Sequence, residues 1–205
     1  MRIGIDARFE PFSQVDPGGT PRGLLIERLQ AVFARAAIEF EFVPSTLAEV
    51  EQALADGHID LIGFKGVTAA RRRTLDFSLP LMATGAALFV AAPGPAPAIE
   101  DIAGSVVTPA KGPLAALIAT DHPGLDLRLA AGYDESLALV ADHAVDAAAL
   151  NVHAGAEIAA LRFAGRIAPA GPVFARLDFA IAARKGEGDR LLPPLNAAIA
   201  ALQSA

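Results

Sequence analysis

Short apolar runs alternate with segments of helical periodicity along this 205-residue chain. The alternation stops once, at Pro93-Gly94-Pro95-Ala96-Pro97, and then restarts. Strands that alternate with helices imply an α/β architecture with largely parallel sheets, because a parallel pair needs a long crossover and a helix supplies it. Two such series divided by a proline-rich joint imply two lobes. In the first series, residues 3–6 read as a buried strand, Pro11 ends regular structure, and Asp16-Pro17-Gly18-Gly19 is a turn. Over residues 24–37, Leu25, Leu29, Val32, Phe33 and Ala36 recur at helical spacing. Glu39-Phe40-Glu41-Phe42-Val43 alternates as a strand with one buried face. Thr46-Leu47-Ala48-Glu49 fits a capping box that opens a helix to Asp56, with Gly57 as its stop. Residues 59–62 and 84–92 read as further strands. The second series predicts strands at residues 106–107, 127–130, 147–150 and 174–183. It predicts helices at residues 113–120, 135–142, 152–161 and 191–202.

Composition narrows the function classes. Hydrophobic residues make up 53% of the chain, enough to bury a core. The formal net charge of −6 argues against a nucleic-acid partner, which requires a basic face. No apolar run reaches the roughly 18–20 residues that span a bilayer. The absence of cysteine excludes a disulfide scaffold and a thiolate metal site, yet fits an exported protein and a cytosolic one equally. The four histidines lack metal-ligand spacing, so no metal is expected. Neither a nucleotide-phosphate loop nor an acyl-transfer triad is visible, and no cofactor is expected.

Residues 59–80 carry the first functional hint. The apolar run Ile59-Asp60-Leu61-Ile62 leads into Gly63-Phe64-Lys65-Gly66, which reads as neither strand nor helix interior. Thr68 then suits a helix N-cap, with Arg71, Arg72 and Arg73 crowding the first turn. Cations at a helix start are mildly unfavourable, and an anion there relieves the problem. A strand end, a turn, a helix start and an arginine together can hold a small carboxylate or phosphate.

Four stretches then match a known family in order. These are Ile3-Gly4-Ile5-Asp6 through Phe9-Glu10-Pro11-Phe12; Gly23 to Glu27; Asp56-Gly57-His58-Ile59-Asp60-Leu61-Ile62 with Thr68, Arg71 and Asp76-Phe77-Ser78; and Val145-Asp146-Ala147-Ala148 with Ala180 through Gly186. The chain resembles the bacterial extracellular solute-binding proteins of family 3, the polar amino-acid-binding type that feed ABC importers. The resemblance implies a two-lobed fold of the periplasmic-binding-protein type, with discontinuous lobes joined by two hinge strands and closing on ligand by hinge motion. Lobe 1 would be residues 1–81 plus 178–205, and the inserted lobe 2 would be residues 82–177. It implies a monomer outside the cytoplasm, with its leader absent from this chain, partnered by a small carboxylate ligand and the membrane permease of an ABC importer.

The resemblance also implies a site. Arg71 occupies the position of the family's ligand-carboxylate arginine, and a planar guanidinium suits bidentate grip. Asp6 and Phe9 fall where the family contacts ligand; the bland readings are a strand-end cap and ordinary core. Gly66 and Thr68 would offer backbone or hydroxyl groups to the anion, although Thr68 also reads as a simple helix cap. Three departures loosen the ligand. Leu47 stands where the family has an aromatic shelf. Phe64 either replaces that shelf or packs in the core, and Lys65 is either a second positive group or a solvated lysine. Asn151 stands where amino-acid binders carry an aspartate for the ligand's ammonium, and an amide supplies no negative charge. The expectation is therefore a non-catalytic protein that captures a small carboxylate-bearing solute, an amino acid or related organic acid. The alternatives are a cyclohexadienyl dehydratase-like enzyme on the same scaffold and a sensory lobe of a receptor.

Overall fold

The computed structural model describes residues 1–204. They divide into two compact units: Met1–Ala83 with the described residues from Asp178 onward, and Thr84–Leu177. The first segment contains β1 (Arg2–Asp6), β2 (Arg8–Phe9), β3 (Ser13–Val15), β4 (Pro21–Arg22), α1 (Leu24–Arg35), β5 (Glu41–Ser45), α2 (Leu47–Ala55), β6 (Leu61–Gly66), α3 (Ala69–Arg72) and β7 (Leu75–Met82). The second unit contains β8 (Ala86–Ala91), β9 (Ser105–Pro109), α4 (Leu114–Asp121), β10 (Asp126–Ala130), α5 (Tyr133–Ala141), β11 (Ala147–Asn151), α6 (Val152–Arg162) and β12 (Ile167–Phe174). The chain then returns to the first unit with β13 (Phe179–Arg184), α7 (Gly188–Leu191) and α8 (Pro193–Gln203).

The two main sheets share one plan. Their strand orders are β5-β1-β6-β13-β7 and β10-β9-β11-β8-β12, and β2-β3-β4 form a small third sheet. In each main sheet the first three strands run parallel and the last two pairings are antiparallel. The largely parallel sheets expected from the alternation are thus mixed. Four strands of each main sheet run in one direction and one is reversed, β13 in the first and β8 in the second, and these are the strands by which the chain enters each unit from the other.

In the first unit, α1 and α8 bring Leu25, Leu29, Leu195 and Ile199 into the core, with Ile3 and Ile5 of β1. Val50 and Leu54 of α2 pack with Ile59, Ile62 and Ala182, and Leu75 and Phe77 complete that cluster. In the second unit, one cluster gathers Phe89, Val107, Leu137, Val140 and Leu150, and another gathers Leu88, Val106, Ile118 and Ala149. Burial of such side chains contributes roughly 1.5–3 kcal/mol each.

Sequence periodicity locates most elements within two residues. The capping box forms: the Thr46 hydroxyl accepts from the Glu49 N–H at 3.4 Å, and the Glu49 carboxylate accepts from the Thr46 N–H at 3.1 Å. Gly57 has φ 76°, the left-handed conformation that glycine enters without a Cβ clash. Three expectations are corrected. Gly63-Phe64-Lys65-Gly66 is strand, the second half of β6. The strand expected at residues 174–183 is the end of β12 and most of β13, with Ala175 at φ 43° in the break. Most of β12 and all of β7 were not anticipated, because prolines interrupt their apolar runs at Pro80, Pro169 and Pro172.

Candidate functional site

β6 carries the irregularity that organises this region. Against β13, Lys65 pairs with Ala180, but Ile62 pairs with Ala182. Three steps along β6 therefore face two along β13, the signature of a β-bulge. Regular alternation would put Lys65 on the face of Leu61 and Gly63. The Cβ direction of Gly63 meets Leu29 and Ile5, the α1 side of the sheet. The bulge instead turns Lys65 to the side of Ile62 and α2, where it is 6% exposed and paired with the Glu51 carboxylate. Lys65 is therefore not a solvated lysine. Burial pushes its pKa down, opposed by the Glu51 hydrogen bond, and nearby Arg71 pushes it down further.

Arg71 stands at the end of α3, a single turn. The arginines do crowd this turn: Arg71 is its third residue and Arg72 its last, and Arg73 is the C-cap. The hydroxyl of Thr68 caps the turn by accepting from the Arg71 N–H at 3.2 Å. The Arg71 Nη1 donates to the Gly66 carbonyl at 2.8 Å. Burial lowers the guanidinium's pKa, opposed by Glu51. Arg72 and Arg73 are exposed, and Arg72 lies 5.8 Å from the Phe77 ring centroid.

A cavity of about 390 Å³ is lined by Glu51, Ile62, Lys65, Arg71, Leu75 and Arg184, among others. Two of the residues expected in a site, Lys65 and Arg71, thus share one cavity, while Gly66 and Thr68 hold Arg71 in place. Glu51 had no signal in the sequence beyond its position one helical turn after Leu47.

Phe9 and Phe64 belong to a different constellation. Their rings stack at 6.3 Å, and Phe12 and Phe179 close a four-ring cluster, with Phe179 5.9 Å from Phe9 and 6.0 Å from Phe64. Phe64 is buried at 6% exposure, so its ring faces aromatic neighbours. Asp6 ends β1, pairs in register with Ser45, and accepts from the Arg8 N–H at 3.0 Å. Leu47 opens α2 and is exposed.

Asn151 lies in the second unit and is fully engaged there. Its Oδ1 accepts from the N–H groups of His153 and Ala154 at 3.0 and 3.4 Å, capping α6, and its Nδ2 donates to the Thr84 hydroxyl at 2.9 Å.

The family model of bacterial extracellular solute-binding proteins, family 3, matches residues 1–205. The chain belongs to this family. Several motifs of this family 3 chain prove to be structural ties. Asp76 accepts from Lys185 Nζ at 2.7 Å and from the N–H groups of Gly186 and Gly188, locking β7 to the turn after β13. Asp60 accepts from the Arg2 N–H at 2.7 Å, and Asp146 accepts from the Ser105 N–H at 2.8 Å.

No curated protein sequence matches the chain. Among solved structures, a histidine kinase sensor domain with similarity to periplasmic binding proteins aligns at TM-score 0.82 and 24% identity, over 100% of this chain and 90% of that one. The GluR0 ligand-binding core from Nostoc punctiforme, in complex with L-glutamate, aligns at TM-score 0.75 and 22% identity, over 99% and 92%. Holo ArgBP from T. maritima aligns at TM-score 0.74 and 20% identity, over 99% and 90%. The fold is therefore that of the periplasmic binding proteins.

Proposed function

We propose that this family 3 protein captures a small carboxylate-bearing solute outside the cytoplasm and delivers it to the permease of an ABC importer. Arg71 grips the carboxylate. The observation that carries the reading is the shared cavity, where the half-buried guanidinium of Arg71 and the ammonium of Lys65 face one intramolecular carboxylate, Glu51. The Gly66 carbonyl holds the guanidinium and Thr68 caps the turn that carries it, so less rotamer entropy is lost when it meets a planar acid. Asp6 and Phe9 lie on the same unit but outside the lining of this cavity, and the reading gives them no contact with a ligand held there. Asn151 is proposed as a framework residue, because its amide already caps α6. The reading assigns no catalytic residue.

The test is a thermal-shift and calorimetric panel of amino acids and organic acids on the intact chain. At a hundredfold excess over Kd, binding adds about 2.7 kcal/mol to stability. For a protein of this size that raises Tm by about 5–10 °C. Arg71→Ala should abolish the shift; if binding survives that change, the reading fails.

A second reading, ligand sensing within a larger receptor, draws support from the likeness to a histidine kinase sensor domain at TM-score 0.82. It predicts that the full-length gene product continues into a membrane-spanning helix and a kinase region. A neighbouring importer operon with no such extension would count against it.

A further inference from the structure

The carboxylate reading gives the ligand a contact with Arg71 and assigns none to Lys65. A buried ammonium is costly unless paired, and a lysine on a central strand normally gives way to an apolar residue. Here the bulge in β6 brings Lys65 to the α2 face, into the cavity that Arg71 lines. Its partner Glu51 is an unequal match: the lysine side chain is 6% exposed, whereas the Glu51 side chain is 47% exposed on the surface of α2. A half-exposed glutamate on a flexible stem is readily rehydrated, while the lysine is fixed by the strand. Among the described residues lining the cavity, Glu51 is the only acid, and the charge of Arg184 is answered outside it by Glu187 at 2.7 Å.

We propose that the cavity takes a small diacid, one acidic group on Arg71 and the other on Lys65, with Glu51 as the internal anion that the ligand displaces. This inference rests on the carboxylate reading of Arg71 and deepens it. Two cations against one internal carboxylate leave one positive charge for a monoacid, which meets Arg71 and leaves the Lys65–Glu51 pair intact. A diacid neutralises both cations and releases Glu51 to water. The apolar lining from Ile62 and Leu75 suits the short methylene chain between two acidic groups. A volume of about 390 Å³ lies at the small end of ligand pockets, which run from about 300 to 1,000 Å³. An α-ammonium gains little here, since it would compete with Lys65 for Glu51.

Calorimetry on the intact chain with succinate and glutarate, against butyrate and valerate as matched monoacids, tests the inference. The diacid should bind at least about tenfold more tightly, the scale of one additional charge-assisted contact. Glu51→Gln, a surface change that keeps the helix, should strengthen diacid binding severalfold and monoacid binding by less, because only the diacid has to displace Glu51 from Lys65. Lys65→Gln should bring the diacid down to the monoacid level. Equal affinity for the two classes in the parent protein, or indifference of the diacid to Glu51→Gln, overturns the diacid inference. In that case monoacid binding that is lost in Arg71→Ala would still uphold the carboxylate reading. If no acid binds at all, both fall together.

Discussion

At the scale of single residues, the cleanest lesson comes from Asn151 and Tyr133. Asn151 stands where the resemblance implies a carboxylate, but its side chain is spent on the first turn of α6 and on Thr84. Asn151→Ala should cost about 1–3 kcal/mol, the loss of a cap plus an unpaired buried Thr84, whereas Asn151→Asp keeps the cap and costs less. Denaturant midpoints of the two variants read this directly. Tyr133 is the single tyrosine of a chain without tryptophan, so its titration is visible alone. Burial pushes its phenol up to about 12, opposed by a backbone hydrogen bond with Asn151. A raised folded-state pKa of an acid means the neutral form is favoured by folding. That contribution is present below the ordinary value of 10.0 and is lost as pH rises toward 12. Tyrosinate absorbance should therefore appear together with alkaline unfolding. A smooth titration near pH 10 in the folded protein would contradict the burial.

At the scale of elements, the helix termini follow local rules closely. The carboxylate of Glu49 accepts from the hydroxyl of Ser45, from the N–H of Thr46 and from the hydroxyl of Thr46, and these hydrogen bonds pull its pKa from 4.5 down to about 2. A depressed carboxylate stabilises the fold above its unfolded pKa and loses that contribution as pH falls through the folded value. Acid melts of Glu49→Gln should thus show less loss of stability between about pH 4.5 and pH 2 than the parent. A second terminus recurs. Asp56-Gly57-His58-Ile59-Asp60 follows α2, and Asp142-His143-Ala144-Val145-Asp146 follows α5. In both, the first aspartate is the C-cap, the next residue has positive φ, and the last aspartate ties the following strand to its neighbour. His143 holds φ 56° where Gly57 holds 76°. His143→Gly should raise stability by about 0.5–1 kcal/mol, because a side chain in the left-handed region is strained and glycine is not. Chemical denaturation of the pair of variants, with Gly57→His as the converse, measures it.

At the scale of the whole molecule, the two units differ in how the chain builds them. Every strand of the second main sheet comes from one continuous stretch, β8 through β12. The first main sheet needs β13 between β6 and β7, and β13 arrives only after the whole second unit. Residues 84–177 expressed alone should melt cooperatively with Tyr133 still protected. A chain ending at Leu177 should keep that transition and lose the cooperative folding of the first unit. Circular dichroism and tyrosine absorbance on the two fragments separate these outcomes. The recurrence at Asp60 and Asp146 belongs to this scale too. It is a repeat of fold positions, with too little sequence identity to register as a short internal repeat.

What the sequence determined by itself is what local chemistry controls. Helical periodicity, the Thr46 capping box, the Gly57 stop and the strand–helix alternation are short-range effects, so they are readable from neighbouring residues alone. The order of family motifs placed Arg71 beside its candidate role. Tertiary structure alone decided the facing of side chains around it. A single extra residue in β6 carried Lys65 across the sheet and into the cavity of Arg71. The pairing of β13 with β6 that defines this bulge joins residues more than a hundred positions apart. Aromatic packing drew Phe64 into a ring cluster, and a helix start consumed the amide of Asn151. Each depends on which distant segment lies opposite, which no local pattern contains.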